Sequence, residues 1–125
     1  MEELSTDRPS NDLPFSEAIE HGDTIYVSGQ GPIDPETGEV VDEKAAAQTD
    51  RTLDNVEAIL AVAGAGLDDI VNATLYFDDM GDYAEVNDAY RQRLNEPYPA
   101  RTAVEVVDHP VDILIEISVI AATPA

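Results

Sequence analysis

Near the C-terminal end, the run Ile113-Leu114-Ile115-Glu116-Ile117-Ser118-Val119-Ile120-Ala121-Ala122 is apolar almost throughout. A strand with one wet face alternates polar and apolar residues, whereas a near-continuous apolar run suits a strand covered on both sides. This segment therefore asks for a central place in a sheet, and the rest of the chain has to supply its neighbours. Taken back to Val111, the run is still too short to span a membrane, and it contains Asp112 and Glu116.

Upstream, the residue pattern provides those neighbours. His21-Gly22-Asp23 is a turn signal between a short strand near Phe15 to Ile19 and a second strand from Thr24 to Ser28. From Asp42 the period changes. Ala45, Thr49, Leu53, Val56, Leu60 and Ala63 recur three or four apart, which is one apolar stripe of a helix. Asp42 is placed to cap its start, and Gly64 or Gly66 to end it. Ile70 to Phe77 reads as a strand closed by Asp78-Asp79. A second helix from about Gly81 to Asn95 carries Tyr83, Val86, Asn87, Tyr90 and Leu94 on one stripe, with Pro97 and Pro99 beyond it. The order β-β-α-β-α-β-β predicts an α+β (mixed α/β) domain with both helices packed on one face of the sheet. Residues 1–11, polar and without periodicity, are expected to form a mobile N-terminal segment, leaving 12–125 as a single domain.

The stretch Tyr98-Pro99-Ala100-Arg101-Thr102-Ala103-Val104-Glu105-Val106-Val107 puts a cation into a strand, with Val104 and Val106 alternating as its buried face. Arg101 is one of only six Lys and Arg side chains, set against 27 Asp and Glu. A guanidinium held at the mouth of a strand presents a fixed fork of donors that matches a carboxylate. Two partners are open to it: Glu105, four residues along on the same strand face, or an incoming organic acid. Glu116, on the face shared by Leu114, Ser118 and Ile120, is either a general base or a glutamate satisfied by backbone N–H groups. Asn87 interrupts an apolar stripe, as a functional amide or as a hydrogen bond to a nearby loop. Ser28-Gly29 could offer backbone donors to a substrate, or could simply end a strand.

The formal charge of −21 sets further limits. Self-repulsion on this scale weakens a compact state in dilute buffer and is screened by molar salt, so a halophilic cytosol is the expected setting, with an ordinary acidic protein as the alternative. No basic stripe exists to displace phosphate counterions, which argues against nucleic acid as a partner. Without cysteine there is neither a disulfide framework nor a thiolate site. The start, Met1-Glu2-Glu3-Leu4-Ser5, lacks the basic-then-apolar pattern of a secretory signal, and a cytoplasmic address is expected. His21 and His109 stand alone in turn contexts, so no metal site is expected. No glycine-rich phosphate loop and no base for Ser28 can be seen, so neither a nucleotide cofactor nor a serine nucleophile is called for.

Taken together, Ile25-Tyr26-Val27-Ser28-Gly29-Gln30-Gly31-Pro32-Ile33-Asp34-Pro35-Glu36-Thr37-Gly38-Glu39, Pro99-Ala100-Arg101-Thr102 and the final apolar strand resemble the Rid family, the RidA/YjgF-like reactive-intermediate deaminases. Gln48-Thr49, Asn55-Val56 and Val86-Asn87-Asp88-Ala89-Tyr90 agree, and the resemblance runs from Leu13-Pro14-Phe15-Ser16 to Ile120-Ala121. It implies hydrolysis of 2-imino acids and their enamine tautomers to 2-keto acids and ammonia, with no cofactor. In that chemistry Arg101 would grip the substrate carboxylate, Glu116 would position or activate water, and Ser28, Gly29, Asn87, Phe15 and Ala103 would line the site. The resemblance also implies a chorismate-mutase-like fold, with the last strand inserted between the first strand and the strand after helix 1, and trimers with sites between subunits. Local logic alone would instead fold the last two strands into a hairpin around Asp108-His109-Pro110. Two positions depart from the family pattern. Phe15 stands where a tyrosine is frequent, which removes a phenolic hydroxyl, and Ala103 stands where a cysteine is frequent. Phe15 favours the alternative of a non-catalytic module that binds a keto acid or other small carboxylate. A third option is an isomerase or hydrolase acting on a related carboxylate, because one fold hosts several chemistries.

Overall fold

A computed structural model of the chain describes residues 1–6, 12–41 and 43–124. Six strands, β1 (Glu2–Leu4), β2 (Ala18–His21), β3 (Thr24–Gln30), β4 (Ile70–Phe77), β5 (Ala100–Glu105) and β6 (Ile115–Ala122), form one sheet in the order β1-β2-β3-β6-β4-β5. Helices α1 (Ala45–Val62) and α2 (Tyr83–Arg93) cover one face. The apolar run is central, as its composition required: β6 pairs antiparallel with β3 on one side and with β4 on the other. Its neighbour at β3 is the second strand of the opening hairpin rather than the first. Among the described residues the arginine strand β5 pairs only with β4, in parallel, so β4-α2-β5 is a crossover unit and β5 and β6 do not form a hairpin.

Ile115, Ile117, Val119 and Ala121 of β6 and Ala73, Leu75 and Phe77 of β4 point under the helices and are buried, while Glu116, Ser118 and Ile120 point the other way and are half-buried. Helix α1 lays Leu53, Val56, Ile59 and Leu60 on that core. Each such side chain contributes about 1.5–3 kcal/mol by leaving water. Two buried amides on α1 tie the loops to it. Asn55 Nδ2 donates to the carbonyls of Gly31 and Ile33, and Gln48 Oε1 accepts from the Leu114 N–H. The helix ends at Gly64, whose φ of 75° is the left-handed conformation that closes a helix, while the Ala65 N–H returns to the Leu60 carbonyl.

Several expectations need correcting. The segment expected to be mobile over 1–11 contains β1, whose Leu4 is buried opposite Ala18; the rest of that expectation falls on 7–11, outside the described residues. The first long strand runs over Ala18–His21 rather than from Phe15, because the backbone before it is tied by Ser28 to residues 16 and 17 and leaves the ladder. The predicted cap Asp42 also lies outside the described residues, and Lys44 occupies the N-cap position without a side-chain cap. On β5 the faces are reversed relative to the valine pattern. Val104 is exposed, whereas Ala103 packs on the core beneath the helices. An edge strand whose outer face lies open needs no apolar alternation to specify its register.

Candidate active site

Register fixes where the two principal candidates point. Arg101 pairs with Ala73, which is buried under the helices. Glu116 pairs with Tyr76 on the opposite, helix-free face. Ala73 and Tyr76 are an odd number of residues apart on one strand, so Arg101 and Glu116 project from opposite faces of the sheet. Within one chain the structure does not bring them together; it builds two separate constellations.

The first surrounds Arg101. Its Nη2 donates to Asn87 Oδ1 (2.7 Å) and to the Tyr83 hydroxyl (3.1 Å), and its Cζ lies 5.6 Å and 5.0 Å from the ring centroids of Tyr83 and Tyr90. Tyr83, Asn87 and Tyr90 come from one face of α2, at i, i+4 and i+7, so a single helix supplies two rings and an amide to one cation. All three partners are neutral. Among the described residues no carboxylate pairs with Arg101, and its Nε and Nη1 make no hydrogen bond. Glu105, the internal alternative, instead accepts the Met80 N–H at 2.7 Å. Of the described arginines, Arg51, Arg91 and Arg93 all have carboxylate partners. Beside Arg101 a cavity of about 240 Å³ is lined by Asn87, Tyr90, Arg91, Tyr98, Pro99 and Arg101. Hydrogen bonding by Asn87 and then by Arg101 pulls the Tyr83 phenol below its ordinary range, while burial pushes Tyr90 up, partly offset by the Arg101 charge.

The second constellation surrounds Glu116, whose side chain keeps 28% exposure on the open face, so water can reach it. Gly29 lies against it: a Cβ there would run into the carboxylate, with the Glu116 Cδ only 2.9 Å away. Glycine is therefore needed for this close approach. His109 Nδ1 stands 3.4 Å from Glu116 Oε1. The expectation that His109 stands alone in its turn is thus corrected, because the chain folds back over the end of β6. Ser28 is less available than expected. Its N–H is given to the Glu17 carbonyl, its hydroxyl to the Ser16 carbonyl, and its own carbonyl accepts from Gln30 Nε2. Its backbone N–H is not a free donor, and in one chain Ser28 fastens residues 16 and 17 to β3. Phe15, just before that tether, is 58% exposed, and Ala103 shares the face of Arg101. Among the described residues no three His, Cys, Asp or Glu side chains gather as they would to hold a metal ion, and no helix is long and apolar enough to cross a membrane.

Sequence reasoning placed Arg101, Asn87, Gly29 and Glu116 in a site. It left Tyr83 and Tyr90 as helix-stripe residues and set His109 aside. The 83/87/90 spacing carried a signal for the first two, since aromatic and amide groups at one helical face can cage a cation. Nothing local marked His109.

Two helices packed on one face of a mixed six-stranded sheet are the architecture of the YjgF/RidA fold. Residues 5–123 match the family model described as Endoribonuclease L-PSP. A RutC family protein of Pyrococcus abyssi is 49% identical over 86% of this chain and 85% of its own length. The 2-iminobutanoate/2-iminopropanoate deaminase of Escherichia coli K12 is 42% identical over 86% of each chain. The crystal structure of Escherichia coli TdcF with bound serine superposes with a TM-score of 0.88 at 31% identity, covering 98% of both chains. The chain belongs to the Rid (YjgF/RidA) family.

Proposed function

We propose that this protein hydrolyses 2-imino acids, and the enamines that tautomerise to them, to 2-keto acids and ammonia. The observation that carries the proposal is the Arg101 cage: in a chain with 27 acids, a positioned guanidinium is held by an amide and two phenol rings and, among the described residues, has no carboxylate partner. An incoming substrate carboxylate is the partner that fits. Similarity to a 2-iminobutanoate/2-iminopropanoate deaminase and to a protein solved with bound serine, itself a small amino acid, supports that substrate class. The net charge of −21 opposes phosphate-backbone substrates, whatever the family description says of ribonuclease.

Because Arg101 and Glu116 leave opposite sheet faces, the proposed chemistry needs two copies of the chain, one presenting Arg101 and the next presenting Glu116 over Gly29. A homotrimer with sites between subunits meets that need and also covers the open sheet face, where Tyr26, Val71 and Val104 are exposed. In such a site Arg101 orients the carboxylate, and Glu116 takes a proton from water as its oxygen adds to C2 of the protonated imine. The carbinolamine then collapses: Glu116 returns that proton to the amino group, which leaves as ammonia, and takes up the hydroxyl proton as the carbonyl of the keto acid forms. Positioning and one general base suffice for a reaction that already proceeds in water; general acid–base catalysis supplies roughly 10²–10⁴-fold.

The test generates an imino acid in situ and traps what survives with semicarbazide. Wild type should leave much less to trap than Arg101→Ala; equal amounts would overturn the assignment. Binding of 2-ketobutyrate in calorimetry without turnover would select the non-catalytic carboxylate-binding reading that Phe15 favours.

A further inference from the structure

We propose that His109 is a positioning residue for Glu116, holding its carboxylate in the orientation from which it acts on water. The role given to Glu116 rests on the deaminase reading; the contact itself rests on this chain's geometry.

His109 lies in the connection between β5 and β6, yet its imidazole is only 3% exposed. Its backbone N–H donates to Asp108 Oδ1 at 2.9 Å. Nδ1 faces Glu116 Oε1 at 3.4 Å, while Nε2 is buried and has no hydrogen-bond partner among the described residues. A carboxylate only accepts, so a hydrogen bond across this contact requires the facing ring nitrogen to carry the proton, which leaves Nε2 its lone pair. A buried ring with an unpartnered nitrogen is a costly way to fill space, and an aliphatic side chain of similar size would do so without the penalty. What the imidazole adds is one donor aimed at Glu116. Opposite it, Gly29 gives the carboxylate room that any Cβ would remove. One oxygen of the Glu116 carboxylate thus faces His109 and the other lies against Gly29. A base fixed in this way acts from one geometry, and no reorganisation is left for the moment of reaction.

Two measurements test this. In ¹⁵N-histidine NMR of the whole protein, the exposed His21 serves as an internal reference. His109 should show the Nδ1–H tautomer, and Glu116→Gln should move its nitrogen shifts while leaving those of His21 in place. An Nε2–H tautomer, or shifts unmoved by Glu116→Gln, would overturn the contact whether or not the protein is a deaminase. In the trapping assay, His109→Leu should lower kcat on the order of tenfold with little change in KM. His109→Asn, whose amide N–H can stand where Nδ1–H stood, should restore most of it, and His109→Gln should not. If all three variants fold and keep wild-type kcat, the positioning role is wrong. If instead Arg101→Ala matches wild type, it is the deaminase reading that fails, and the NMR result alone decides for His109.

Discussion

Arg93 and Arg101 are the same residue on opposite sides of α2, and the chain treats them differently. Arg93 Nη1 meets Asp50 and its Nη2 meets Asp54 and Glu57, three carboxylates from α1. Burial works against its charge, but hydrogen bonds to Asp50 and Asp54 outweigh that and raise its pKa further. Arg101 meets an amide and two phenol rings. With acids in such excess, leaving one arginine uncompensated is a matter of placement: the face of α2 toward β5 carries Tyr83, Asn87 and Tyr90 where it could have carried acids. An arginine that closes a helix–helix contact is saturated from within. Arg101, which our proposal reserves for a ligand, is oriented by neutral groups that leave its charge available.

The largest effect expected is a reciprocal one. Arg101→Ala should cost on the order of 10²–10³-fold in kcat/KM with thermal stability nearly unchanged. Arg93→Ala should lower stability by no more than about 1 kcal/mol, because its three carboxylate partners are largely solvent-exposed, while activity per folded molecule persists. Paired denaturation and turnover measurements check both, and two variants behaving alike would erase the distinction. Next in size, Gly29→Ala should reduce kcat much as Glu116→Gln does, because the methyl displaces the carboxylate. A normal rate for the Gly29→Ala enzyme would show that the close approach is dispensable. A smaller change is expected from Tyr83→Phe. It removes one of the two hydrogen bonds to Arg101 but keeps the ring, so KM for a carboxylate substrate should rise a few-fold in steady-state assays.

The smallest effect concerns the acidic turn before α2. Burial, then repulsion from Asp79, Glu85 and Asp78, raises the Asp82 pKa above its ordinary 3.8. A carboxyl that is harder to ionise in the folded state than in the unfolded one penalises folding at neutral pH, and the penalty fades as pH falls through the folded value. Asp82→Asn should therefore raise the melting temperature slightly at pH 7 in low salt. The gain should disappear below about pH 4, where both states are protonated, and should shrink in roughly 3 M KCl. The wild-type midpoint should itself rise with KCl, as a halophilic protein's would. Melting curves over that grid check both expectations, and a gain for the variant that grows toward acid would reverse the sign.

Much of the fold was legible because hydrophobic period and burial share a cause. The α1 stripe, the strand Ile70–Phe77 and the centrality of the Ile113–Ala122 run all follow from where apolar groups must go. The valines of β5 misled because an edge strand with an open outer face carries no such constraint, and the short pairing of Glu2–Leu4 has no period to read. For the site, residue chemistry singled out Arg101 and Glu116, since a scarce cation and a carboxylate in an apolar strand stand out in any one-dimensional reading. That they leave opposite faces of the sheet, that Glu105 bonds to Met80 instead, and that His109 returns over Glu116 are facts of register and chain return. Residue order alone dictates which groups are exceptional and which segments must be buried, because both follow from composition along the chain. Which of those groups meet is settled in the folded molecule, because a one-residue change of register turns every side chain to the other face, and no local pattern records that choice.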